Sequence, residues 1–205
     1  MSDTQALLAR LKAGELDKEA LLLSAYVGDP AAEEAARRAF GEEAEVALQA
    51  PLVFVGSPPI MRWIYGLGRW GHQAWARAAF ALGEAALAAL EAETAGQVDE
   101  RFRQVMSALE TWISCPSEEH AQASFAVAYA LDSQSDLELF YDGDPTPGRR
   151  RSLFAALAKT PRAPNPAVVS TAAEFASEIV PAEELIAAVR RALVEWAVGV
   201  SEDER

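Results

Sequence analysis

Alanine, the residue with the highest helix propensity, occupies 43 of the 205 positions and recurs along most of the chain. Glycine and proline divide the alanine-rich stretches into segments of helical length. The only strand-like stretch is the four-residue run LVFV at 52–55, and one short strand cannot form a sheet. The sequence therefore predicts an all-α fold.

Apolar spacing and helix-terminal signals locate most of the predicted helices. These are 4–13, 17–27, 29–40, a long helix that ends near 93, 98–113, 116–131, 167–179 and 182–198. The strongest amphipathic pattern lies in 98–113, where Phe102, Val105 and Leu109 share one face. An irregular exposed loop is predicted at about 132–151. We expect about eight or nine helices in a single domain that covers residues 1–205.

A weak internal repeat leaves two architectures open. A chain-breaking residue followed by an alanine-rich helix recurs at Pro30, Gly71, Pro116 and Pro166, at spacings of 41, 45 and 50 residues. Helix-pair repeats of the HEAT type have periods of about 40–47 residues. The pattern fits a short α-solenoid of such pairs, and it fits an irregular helical bundle equally.

The charge and the cysteine content narrow the class of protein. Acidic residues outnumber basic ones by 31 to 18, which gives a net charge of −13. This charge argues against a nucleic-acid-binding surface, because phosphates demand Lys and Arg. No apolar run approaches the roughly 20 residues that span a bilayer, and one cysteine excludes an internal disulfide. We expect a bacterial cytoplasmic protein without membrane contact.

The acidic residues are concentrated in the middle of the chain. Residues 84–145 hold 13 acidic and two basic residues, whereas residues 146–165 hold five basic and no acidic residues. Such blocks maintain solubility, or they attract a protein partner of opposite charge. On the second interpretation, the candidate partner-binding carboxylates are Glu118, Glu119, Asp136, Glu138, Asp142 and Asp144.

A second candidate surface is aromatic. Three of the five tryptophans fall between Trp63 and Trp75, together with Tyr65 and His72, and arginines are interleaved among them. Tryptophan and arginine are enriched at binding hot spots, but tryptophan also fills gaps between alanine-rich helices. The sequence does not decide between the two, and Trp63 and Trp70 are the candidate contacts if the cluster is exposed.

The segment Cys115-Pro-Ser-Glu-Glu-His120 is the best candidate for chemistry. Aligned with Asp29-Pro30, it places Cys115 at the N-cap of a helix and Glu118 in its first turn. Nucleophilic catalysis needs a base within reach, and zinc needs three or four ligands that converge. One cysteine and two histidines, His72 and His120, offer neither. We predict no catalytic, cofactor-binding or metal-binding residue, and no enzymatic activity.

The acid-rich stretch 132–144 also fails as a calcium site. An EF-hand loop that began at Asp132 would need glycine at its sixth position and glutamate at its twelfth. The sequence has Leu137 and Gly143 there.

Two stretches, GLGRWGHQAWARAAFALGEAAL and ALETWISCPSEEHAQAS, resemble bacterial all-helical toxin-immunity proteins. With their surroundings they cover about a third of the chain, and the likeness rests on Trp, Gly and Ala placement, so it transfers no functional residue. The resemblance implies a small cytoplasmic protein that binds and occludes a cognate toxin. The acidity suits a basic toxin. The alternative is a helical-repeat scaffold or adaptor protein.

Overall fold

Helices make up nearly all of the part of the chain that the structure describes. The structure is a computed structural model that describes residues 2–49, 58–141, 146–163 and 165–199, with the side chains of 133–141 excepted. Within these ranges there are eleven α-helices and no strand. They are α1 Asp3–Ala13, α2 Lys18–Tyr26, α3 Pro30–Phe40, α4 Glu42–Leu48, α5 Pro59–Gly66, α6 His72–Glu93, α7 Glu100–Ser114, α8 Glu118–Tyr141, α9 Thr146–Lys159, α10 Pro166–Ala176 and α11 Ala182–Val198.

The chain divides into two compact units, one of residues 1–51 with 187–205 and one of residues 52–186. In the first unit, α3 packs on α1, α2 and α4. Asp29 caps α3 through a 2.8 Å hydrogen bond from the backbone N–H of Ala32, with Pro30 at the first helical position, as the sequence predicts. Arg190 Nε donates to the carbonyl of Val27 at 2.7 Å, so the last helix is tied to the end of α2.

The second unit is built around α9. This helix packs on α6, α7, α8 and α10, and residues 153–158 are buried one after another, LFAALA. A helix that is apolar all round is expected at the centre of a bundle. Phe154 stacks on Phe102 of α7 with ring centroids 4.2 Å apart. A short 3-10 turn, Leu67–Trp70, joins α5 to α6.

Gly83 allows three of these helices to approach closely. A Cβ atom built on Gly83 of α6 would lie 2.8 Å from Leu157 Cδ1 of α9 and would also overlap the end of Met106 of α7. The close approach of α6 to α7 and α9 therefore depends on the absence of a side chain at Gly83. The glycine sits inside a 22-residue helix because packing, rather than helix propensity, decides the residue there.

The all-α class is confirmed for the described residues, and an irregular helical bundle fits the packing. The count of eight or nine helices is too low, because the described residues form eleven, short ones such as α4 and α5 included. The predicted loop at 132–151 is wrong over 132–141 and 146–151, which are helical, while 142–145 lie outside the described residues. The long packing of α8 on α9 outweighs the weak helix propensity of the serines and aspartates there. The HEAT-like solenoid and the single domain stay predictions.

Candidate protein-binding surface

The helices α6, α7 and α8 carry carboxylates that have no cationic partner among the described residues. α7 packs on both α6 and α8, so the three helices are neighbours. Glu118 and Glu119 lie exposed in the first turn of α8, where the helix dipole favours negative charge. Both of these predicted partner-binding residues are therefore accessible.

Glu84 of α6 and Glu110 of α7 extend this set, which we call the acidic surface: Glu84, Glu110, Glu118 and Glu119. Burial raises the pKa of Glu84, and the nearby charge of Glu110 raises it further. The two carboxylates, on neighbouring helices, are thus close enough to repel each other, and neither is in an ion pair among the described residues. Repulsion between like charges lowers the stability of a fold slightly, so the Glu84–Glu110 pair is mildly destabilising.

Sequence reasoning missed both of these residues, although Glu84 left a signal. It is the only charged residue in the stretch 78–90, AAFALGEAALAAL. A single acid in an otherwise apolar helical run marks the part of that helix that reaches solvent. Its proximity to Glu110 could not be read from the sequence, because it depends on how α6 and α7 pack.

The side chains of the four other predicted acidic residues lie outside the part of the chain that the structure describes. Asp136 and Glu138 belong to the C-terminal half of α8, and nothing is described of their side chains. Asp142 and Asp144 lie outside the described residues. Their role in binding stays a prediction.

The basic block at 146–165, unlike the acidic surface, forms ion pairs with residues of its own unit. Arg149, Arg150 and Arg151 pair with Glu178, Glu93 and Asp99, which lie beyond α10, on α6 and at the start of α7. Lys159 at the other end of α9 pairs with Asp132 of α8. The block therefore fastens the central helix to its neighbours. Four of its five cations thus neutralise acids of the same unit, and none of these ion pairs includes a carboxylate of the acidic surface.

The Asp99 carboxylate is the most connected of these acceptors. Its Oδ1 atom accepts from Arg101 Nε at 2.9 Å and from the backbone N–H of Arg101 at 3.1 Å, and Oδ2 lies 3.5 Å from Arg151 Nε. Hydrogen bonding from Arg101 lowers the pKa of Asp99, and Arg151 lowers it further. Asp99 thus caps α7 and anchors α9.

The aromatic cluster separates into a buried part and a half-buried part. Trp75 is 6% exposed, and the ring of Trp112 is centred 4.7 Å from that of His72. Trp63 of α5 and Trp70 in the 3-10 turn are half-buried, and the Arg69 guanidinium lies 5.1 Å from the Trp70 ring centroid. α5, which carries Trp63, packs on α10, whereas the 3-10 turn that carries Trp70 packs on α6, the helix of Glu84.

The structure corrects the role of Cys115. It is the C-terminal cap residue of α7 and is exposed, while the hydroxyl of Ser117 accepts from the N–H of His120 at 3.1 Å and caps α8. The N-cap of α8 therefore lies at Ser117, two residues later than predicted, because Ser is a better N-cap than Cys. The His120 ring donates to the backbone carbonyl of Cys115 at 2.8 Å, and not to the thiol.

The second histidine, His72, also hydrogen-bonds a backbone carbonyl. His72 Nε2 donates to the carbonyl of Thr160 at 2.5 Å, which ties the start of α6 to the end of α9. In the described ranges, no group of three or more His, Cys, Asp or Glu residues is placed to hold a metal ion. None of the described helices combines the length and apolarity that crossing a bilayer requires.

Comparisons with protein-family models, with curated proteins and with solved structures found no match to this chain.

Proposed function

We propose that the chain is a non-enzymatic protein-binding module, an immunity-like inhibitor that covers the active surface of a basic toxin. The observation that supports this most directly is the contrast within residues 52–186. Four of the five cations of the basic block form ion pairs within this unit, whereas the carboxylates of the acidic surface form none among the described residues.

Complementary charge speeds association and fixes the orientation of the two partners. A toxin that acts on nucleic acid carries a surface rich in Lys and Arg, because it must neutralise phosphates. The acidic surface is suited to compete for such a surface. The aromatic residues Trp63 and Trp70 remain a second candidate contact.

The test is protection against a basic toxin encoded beside this gene. Growth of cells that express the toxin should be rescued by the wild-type chain, and purified proteins should bind with an affinity that falls as salt rises from about 50 to about 200 mM. Glu118→Lys with Glu119→Lys should weaken binding about tenfold or more, because two attractive charges become repulsive.

A matched control is present in the same unit. Glu183 and Glu184 are also consecutive, exposed and in the first turn of a helix, α11. Reversal of this second pair changes the net charge by the same amount at an equivalent helix position. Equal losses of binding for the two pairs would show that only net charge matters, and would contradict the assignment of the acidic surface.

A further inference from the structure

A groove lies among α6, α9 and the end of α10, away from the candidate protein-binding surface. Its volume is about 530 Å³, within the range of sites that hold small organic molecules. Part of its lining is apolar and comes from Ala89 of α6, Phe175 of α10 and Ile179 just after α10. Phe175 and Ile179 are half-buried, so their side chains offer contact area.

Two arginines line the same groove. Arg149 donates through Nη1 to Glu178 on one wall, and Arg150 donates through Nη2 to both oxygens of Glu93 on the other, at 2.9 and 2.7 Å. Each guanidinium therefore uses one of its three nitrogens in these pairs. The Glu93 and Glu178 side chains are 58% and 40% exposed, so both carboxylates can turn into solvent.

The Nε–H group of Arg150 is buried and has no acceptor among the described residues. A buried charged donor without an acceptor is unfavourable, but this atom is closed to a ligand in the groove. The donors open to an oxyanion there are the second Nη groups of Arg149 and Arg150, which the pairs with Glu178 and Glu93 do not use. Guanidinium groups bind carboxylate and phosphate through two parallel hydrogen bonds. Both arginines also lie near the N-terminus of α9, where the helix dipole favours negative charge.

We propose that this groove binds a small organic oxyanion, a phosphate monoester or a carboxylate that carries an apolar group. The oxyanion lies between Arg149 and Arg150 and accepts their uncommitted N–H groups. The apolar group packs on Phe175 and Ile179. This site is independent of the acidic surface and does not require a protein partner.

Three probes test the site in calorimetric titrations of the full chain: phenyl phosphate, benzoate and inorganic phosphate. We expect phenyl phosphate and benzoate to bind saturably, and phenyl phosphate to bind more tightly than inorganic phosphate. If neither aromatic probe binds saturably up to roughly 10 mM, the proposal is overturned. Equal affinity for phenyl phosphate and inorganic phosphate would also overturn it, because the apolar lining would then contribute nothing. Binding of phenyl phosphate alone would limit the ligand to phosphate esters, and binding of benzoate alone to carboxylates.

Three variants locate the binding. Arg150→Gln should weaken phenyl phosphate binding about tenfold or more, since it removes charged hydrogen bonds. Arg162→Gln is the matched control, because Arg162 is exposed and lies over Phe125 at 4.8 Å, outside the groove. Glu178→Gln should strengthen binding severalfold by releasing Arg149, and this exposed change leaves the core untouched. No gain from Glu178→Gln, or an equal loss from Arg162→Gln, would refute the site.

Discussion

Replacement of Asp99 is the sharpest test of the contacts that fix the central helix α9 to α7. The Asp99 carboxylate caps α7, binds Arg101 through two nitrogens and lies 3.5 Å from Arg151 of α9. The side chain is 21% exposed, so solvent screens these interactions only in part. Loss of an N-cap costs about 1 kcal/mol, and loss of a hydrogen bond to a charged group about 1.5–3 kcal/mol.

We therefore expect Asp99→Ala to lower the free energy of unfolding by about 2–3 kcal/mol. Asp99→Asn keeps a cap and removes the charge, and should cost about half as much. Urea denaturation followed by tryptophan fluorescence measures both, since four of the five tryptophans lie in residues 52–186. Asn165→Ala is the control, because Asn165 is an exposed N-cap, of α10, that only accepts from Ala167 N–H at 3.0 Å.

The pH dependence gives an independent check. The folded-state pKa of Asp99 is lowered, so its contribution is complete above the unfolded pKa of about 3.9 and is lost as pH falls through the lower folded value. The difference between wild type and Asp99→Asn should be constant from pH 7 to pH 5 and shrink below about pH 4. A cost no larger than that of Asn165→Ala, or one unchanged between pH 7 and pH 3, would refute the anchoring role.

Two further changes test the packing and the acidic surface by the same denaturation assay. Gly83→Val should lower stability by about 1–3 kcal/mol, because the ends of Met106 and Leu157 can move aside for one methyl group but not for a branched side chain, and an unchanged or raised midpoint would contradict the close approach. Glu84→Gln should raise stability by a few tenths of a kcal/mol at pH 7, because it removes a carboxylate that is partly desolvated and is also repelled by Glu110. Since the folded-state pKa of Glu84 is raised, this gain should be absent below the unfolded pKa of about 4.3 and grow as pH rises through the folded value, and a gain independent of pH would contradict the cause.

Helices that carry a start signal and an apolar face in their own sequence could be predicted. The spacing in 98–113 identified α7, and Phe102, Val105 and Leu109 are buried as expected. The Pro181 break predicted a final helix at 182–198, and α11 has those bounds. In both cases the sequence carries its own start signal and an apolar face.

The features that depend on contacts between helices were not predictable. α8 continues to Tyr141 because it packs along α9, and its own residues between 132 and 141 show no regular apolar face. The arginines at 149–151 read as part of an exposed loop, because the acids that bind them are 29 to 57 residues away in sequence. The same applies to Glu84 and Glu110, which become neighbours only when α6 and α7 pack.

Hydrogen–deuterium exchange of the chain, with and without the basic toxin that we propose as its partner, is the most direct test of the proposed binding surface. We predict slower exchange on binding at the end of α7 and the start of α8, in peptides that cover residues 108–123. Peptides from the start of α11, which contain the control pair Glu183 and Glu184, should exchange at the same rate in both states. Protection confined to α11, or to α5 and the turn that follows it, with none in 108–123, would contradict the account.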